Sequence, residues 1–268
     1  MKRDWFAGLA WAVVGTAALL SGCAVTPGSE APAQDLRTAS DQTDNDRRAR
    51  VRLELASAYF SRGQMETALD EIKQALQVNP NLVEGINLRG LIYAGMGEAR
   101  LAEESFRRAL QLSPKDADVM HNHAWFLCQQ RRFAEGDVLF VSALSQPQYR
   151  STLRTLLARG VCQARAGQLP QAEQSLSRAL ELDPANPTTT LNLAEVLYQR
   201  GAFDRARFYV ARVNAQPEFA NAETLWLAIR IENRLGDRVA LDGFARQLRT
   251  RFAQSAQALA LERGRFDD

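Results

Sequence analysis

The 268-residue chain carries 33 basic and 31 acidic side chains, and 46% of it is hydrophobic. That is enough length and apolar content for one elongated domain or two compact ones. The near balance of charge excludes a nucleic-acid binder, because phosphate recognition rests on a clustered excess of Lys and Arg.

At the N-terminus, Lys2 and Arg3 precede an apolar run from Phe6 to Leu20. That run is about 15 residues, short of the roughly 20 that a membrane-spanning helix needs. The layout predicts a secretory signal over residues 1–22. Leu20-Ser21-Gly22-Cys23 resembles the bacterial lipobox. The resemblance implies that Cys23 receives diacylglycerol, becomes the first residue after cleavage and ends with three acyl chains. Stable anchoring takes two or more. The alternative is a cysteine that merely lies beside a cleavage site. Ala24 stands where an aspartate would favour retention in the inner membrane, so the expected location is the periplasmic face of the outer membrane. An inner-membrane-anchored periplasmic protein is the alternative. The mature part would hold 31 basic and 30 acidic residues.

Residues 23–46 are rich in Pro, Ser, Ala and Asp and nearly free of large apolar side chains. Such a stretch cannot bury enough surface to fold alone. A tether of this length reaches roughly 25 Å.

Over 47–268 the chain repeats with a period of 34, with units near 49–82, 83–116, 117–150, 153–186, 187–220 and 222–255. In the first two units Ala56 aligns with Gly90, Tyr59 with Tyr93, Gly63 with Gly97, Ala68 with Ala102 and Pro80 with Pro114. These are the small, aromatic and proline positions of the tetratricopeptide pattern. The fold expected is all-α, a right-handed superhelix of about six tetratricopeptide repeats, an α-solenoid. Small residues at the eighth and twentieth positions let the two helices of a unit approach closely. Gly63, Gly97, Gly167 and Gly201 mark turns, and Pro80, Pro114 and Pro184 stop second helices.

The third unit is irregular. Arg131 replaces its turn glycine, Gly136 takes its twentieth position, and two extra residues near Ser151 and Thr152 precede the fourth unit. Cys128 and Cys162 fall on the neighbouring first helices of these two units. With Cys23 acylated, they are the pair left in an oxidising compartment, which predicts a disulfide. Two buried free thiols are the alternative.

No catalytic or cofactor motif is present, so neither an enzyme nor a cofactor is expected. His121 and His123 point about 200° apart on a helix and cannot grip one ion, so no metal site is expected. One of them is expected to face the groove and the other to pack. Asp70, Glu71, Glu103 and Glu104 read as a solvated outer face. The remaining candidate is the concave groove, with Leu53, Phe60, Asn87, Leu91 and Trp125 as peptide-binding residues, flanked by Asp118, His121 and Cys128. Apolar residues there suit an amphipathic or extended peptide.

"HNHAWFLCQQRRFAEG" (121–136), "NLAEVLYQRGAFDRARFYV" (192–210) and "LWLAIRIENRLGD" (225–237) resemble the PilF/PilW family of type IV pilus biogenesis lipoproteins. His123 and Ala124 are a minor departure from that pattern. The resemblance implies a pilotin or pilus-stabilising factor, with the pilus secretin as protein partner, the outer membrane reached through lipid at Cys23, and a monomeric state. Cys128 and Cys162 match a cysteine pair found in some members. A tetratricopeptide lipoprotein that regulates peptidoglycan synthesis or hydrolysis is the other reading.

Overall fold

The computed structural model describes residues 43–266, so the signal segment, Cys23 and most of the expected tether lie outside the described residues. Thirteen α-helices make up the described part. Six antiparallel pairs are α1 (Asp44–Ser61) with α2 (Met65–Val78), α3 (Val83–Gly95) with α4 (Ala99–Leu112), α5 (Ala117–Gln129) with α6 (Phe133–Leu144), α7 (Thr152–Arg165) with α8 (Leu169–Leu182), α9 (Pro187–Gln199) with α10 (Phe203–Asn214), and α11 (Ala222–Leu235) with α12 (Arg238–Arg251). A seventh-unit remnant, α13 (Ala256–Glu262), packs on α11 and α12. The fold is the all-α solenoid that the 34-residue period predicts.

Each second helix packs on the first helix before and after it, and the first helices also pack on one another along the series α1, α3, α5, α7, α9, α11. The backbones of successive second helices stay more than 8 Å apart between Cα atoms among the described residues, and only side chains such as Arg205 and Glu173 reach across. The closer-spaced set lies on the inside of a curved stack, so the first helices form the inner face.

The small positions explain the pairing. Ala56, Ala68, Ala102, Ala124, Ala172, Ala194 and Ala206 are fully buried. A Cβ on Gly90 would stand 2.7 Å from Phe106 Cε1, and one on Gly136 would stand 2.9 Å from the Ala124 carbonyl oxygen. The turn glycines take φ of +75° to +80°, and Arg131, the non-glycine at that position, is held at φ 61°. That region disfavours an L side chain by roughly 1–2 kcal/mol. The helix pairs on either side therefore impose the turn on it.

The helical domain begins at Asp44 rather than at 47. Thr43 is the cause: its side chain accepts from the Asp46 N–H at 3.1 Å, while the Asp46 carboxylate accepts from the Thr43 N–H at 3.3 Å. This reciprocal cap satisfies donors that the first turn otherwise leaves open. Asp46 also accepts from Asn79 Nδ2 at 3.0 Å, which ties the start of α1 to the end of α2.

Candidate functional site

The inner face carries the residues singled out from the sequence. Leu53, Phe60 and Leu91 are half-buried and pack against a cluster that includes Ala56, Leu69, Ile72 and Leu88. They line the seam between the first two units and belong partly to its core. Asn87 accepts from Asn122 Nδ2 at 3.3 Å, linking α3 to α5. Trp125 is half-buried, and the Arg165 guanidinium of α7 lies 5.2 Å from its ring centroid. Further along, Arg230 donates to Glu195 at 2.8 Å and lies 4.7 Å from the Tyr198 ring centroid. The inner face is thus apolar at its N-terminal end and polar-aromatic beyond.

Two expectations need correction here. Neither histidine faces the groove: both are buried. His121 Nδ1 lies 2.8 Å from Thr155 Oγ1, which Tyr149 also contacts at 2.7 Å. His123 stacks on Phe106, and its two ring nitrogens have no hydrogen-bond partner. Burial lowers both imidazoles from the ordinary 6.5 to about 4. The reason is that α5 is enclosed by α3, α4, α6 and α7, so two of its sides are interior. Cys128 is likewise buried rather than groove-lining. The structure joins it to Cys162 across α5 and α7 with Cα atoms 5.8 Å apart, within the usual span of a disulfide.

The second correction concerns the carboxylates. Glu71 accepts from Arg52 at 2.6 Å, and Glu103 accepts from Arg132 at 2.7 Å, so these two bridge helices instead of facing solvent. Arg132 holds the Glu103 carboxyl below the usual carboxylate range, chiefly through that hydrogen bond. The pattern extends along the stack: Asp137 takes two bonds from Arg159 at 2.7 and 3.0 Å, Glu173 accepts from Arg205 at 2.7 Å and also pairs with Arg200, and Arg207 pairs with buried Glu232. Glu103, Asp137, Glu173 and Arg207 all occupy the twenty-first position of their units. Charges at one repeat position that recur next to the small residues Ala102, Gly136, Ala172 and Ala206 were the available signal.

Sequence reasoning also missed the open end of the first unit. Val51 and Leu55 of α1 and Val78 of α2 are 51%, 40% and 37% exposed. Together with Arg47, Arg48, Arg52, Gln74 and Gln77 they line a cavity of about 610 Å³. Val51 aligns with Gly85, where a Cβ would meet Ile72 and Leu76 of the preceding unit at 3.3 Å. The first unit has no such neighbour within the described residues, so its equivalent face is left uncovered. Among the described residues there is no cluster of three His, Cys, Asp or Glu suited to a metal, and no helix long and apolar enough to cross a membrane.

Tetratricopeptide-repeat models match residues 56–97, 83–116 and 163–225. The type IV pilus assembly protein PilF of Pseudomonas aeruginosa is 28% identical over 238 residues, covering 89% of this chain and 91% of PilF. The crystal structure of PilW, described as a widely conserved type IV pilus biogenesis factor, superposes with a TM-score of 0.75 at 29% identity, over 80% of this chain and 97% of PilW. The chain is homologous to PilF and fits the PilF/PilW family. The solved P. aeruginosa PilF shares the fold at a TM-score of 0.72 and 24% identity, over 83% of this chain and all of that one. These matches cover 80–89% of this chain and at least 91% of PilF and PilW, so the likeness is of whole proteins rather than of one repeat.

Proposed function

We propose that this protein is a binding module of type IV pilus biogenesis, held by lipid at Cys23 to the periplasmic face of the outer membrane, that captures subunits of the pilus secretin and aids their localisation and assembly. Its work is binding rather than catalysis. The kinship with PilF and PilW supports the process, and the observation that carries the mode of action is the apolar end of the first unit, uncovered among the described residues. Val51, Leu55 and Val78 offer a recess rimmed by three arginines. That chemistry suits a secretin segment with apolar anchors and acidic flanks. Leu53 and Phe60 project from the opposite side of α1, about 180–200° round the helix from Val51, and with Asn87, Leu91 and Trp125 they form a second candidate surface on the inner face.

The test is capture of purified secretin subunits by the parent chain and by a Val51→Ser, Leu55→Ser variant. Truncating buried anchors commonly costs 1 kcal/mol or more in binding, so capture should weaken about tenfold or more. Melting should stay near that of the parent, because both side chains are exposed. Undiminished capture by the variant would place the contact elsewhere. Capture of a purified cell-wall synthase but not of secretin would favour the peptidoglycan reading.

A further inference from the structure

The two ends of the solenoid are finished differently. At the C-terminal end, α13 closes the stack: Ala258 and Leu261 pack against Leu225, Trp226 and Ile229 of α11, and Phe266 stacks on Trp226 with centroids 5.9 Å apart. Leu259 of this cap remains 46% exposed, and the chain leading to it is rich in arginine. From residue 187 to 268 the chain has twelve arginines against ten acidic residues, and no lysine.

On α12 the arginines are gathered on one side. Arg238, Arg246 and Arg249 lie eight and three residues apart, within one outward arc of the helix, and all are exposed. Only Asp242 opposes them on that arc. Val239 stands beside Arg238 and is 84% exposed. None of the three arginines makes an ion pair, side-chain hydrogen bond or ring contact among the described residues. Elsewhere on second helices several arginines are engaged, Arg100 with Glu104, Arg107 with Glu103, Arg205 with Glu173 and Arg207 with Glu232, whereas the exposed Arg178 of α8 stands alone and without arginine neighbours on its helix. Unpaired guanidiniums side by side repel one another, which costs stability unless an anion is near.

We propose that the outer face of α12 is a peripheral docking surface for a bilayer bearing anionic phospholipid headgroups. The face is a convex helix surface rather than a groove, so it fits a broad plane of charge better than a shaped segment. Arginine forks bind phosphate oxygens well, and Val239 is placed to enter the headgroup layer. Basic side chains near an anionic membrane surface act additively and are screened by salt. The contact does not depend on an acyl group at Cys23. It would orient the solenoid with its C-terminal end on the membrane and its open first unit free for a protein partner.

Residues 43–268, which hold every core cluster described above, provide the test without the N-terminal segment. Sedimentation with phosphatidylcholine vesicles containing about one third phosphatidylglycerol should pellet the protein at low salt, whereas pure phosphatidylcholine should not, and about 0.5 M salt should release it. Arg238→Gln, Arg246→Gln and Arg249→Gln together should weaken binding at least tenfold with an unchanged helical spectrum, since these side chains hold nothing in the fold. Replacing Arg47, Arg48 and Arg52 by Gln should leave vesicle binding as it was. The proposal is overturned if the anionic vesicles fail to pellet the protein, including the case in which polyglutamate binds and vesicles do not. Equal pelleting by the α12 triple variant, or loss confined to the α1 triple variant, overturns it as well.

Discussion

The His123 ring stacks on Phe106 with centroids 5.4 Å apart and planes 20° from parallel, inside the contact between α4 and α5. It also lies 6.3 Å from the ring of Phe126. A neutral imidazole suits this apolar stack and a charged one does not.

The consequence is a pH dependence with a defined sign. Burial lowers the folded-state pKa of His123 to about 4, against 6.5 when exposed. Its contribution is therefore intact above pH 6.5 and lost progressively as the pH falls from there to 4, where the unfolded chain takes up the proton first. Between pH 7 and 5 the loss is about 2 kcal/mol. Glu103, Glu135, Arg107 and Arg132 surround the ring, and the two carboxyls are lowered by Arg132, so their own losses fall at lower pH. His123→Phe keeps the stack and removes two unpartnered nitrogens. Urea unfolding at pH 7 and 5 should show a difference smaller by about 2 kcal/mol than in the parent. An identical difference in both proteins would mean that His123 is accessible to protons in the folded state.

Gly90 tests the packing register. Even alanine there places a Cβ within 2.7 Å of the Phe106 ring. Gly90→Leu should overpack the second unit and lower stability by about 1–3 kcal/mol. Glu104→Gln is the matched control, since Glu104 is exposed and makes only an i, i+4 pair with Arg100. Glu103 would be a poor control, because it bridges Arg107 and Arg132. Equal melting of the Gly90 and Glu104 variants would count against this register.

The Cys128–Cys162 bond spans a sequence separation of 34 and sits at the irregular junction of the third and fourth units. In the chain-entropy account, closing such a loop stabilises the fold by on the order of 3–4 kcal/mol. Residues 43–268 prepared from an oxidising compartment should show no reactive thiol in denaturant until reduced. Cys162→Ser should melt well below the parent, and reduction should lower the melting temperature of the parent alone. Two thiols titrating in the unfolded, unreduced protein would refute the bond.

What was legible in the sequence follows from the period. A 34-residue repeat superimposes Gly90 on Ala56 and Gly97 on Gly63, so helix pairs, turns and close approaches can be read from one unit and transferred to the next. The stops were readable for the same reason: α2, α4 and α8 end two residues before Pro80, Pro114 and Pro184. The repeat does not say how deeply a unit is enclosed, which is why both histidines of α5 are interior. Nor does it pair charges that lie 25 to 29 residues apart, as Arg207 with Glu232 and Arg132 with Glu103 do. End effects escape it by construction, since among the described residues no unit packs on Val51 as Ile72 and Leu76 pack at Gly85. The α13 cap begins at Ala256, where a seventh unit would start, but it is cut to seven residues, so the period alone did not show that it closes the stack.

Leu53 and Phe60 stand where core and contact surface meet, and that makes their double variant informative. Both are half-buried and packed against the first-unit cluster, so replacing them with alanine should lower stability by about 1–3 kcal/mol. Val51 and Leu55, on the opposite side of α1 at the open end, should cost little when changed to serine. Secretin capture must then be compared at a temperature where both double variants are fully folded by their helical spectra. Because the inner face lies on the opposite side of α1 from the recess, the Leu53→Ala, Phe60→Ala variant tests it as a second contact, and capture should again weaken under those conditions. Its deficit should be smaller than that of the Val51→Ser, Leu55→Ser variant, whose side chains are the more exposed anchors. Unimpaired capture by folded Leu53→Ala, Phe60→Ala protein would confine these two residues to the core and limit the contact surface to the open end.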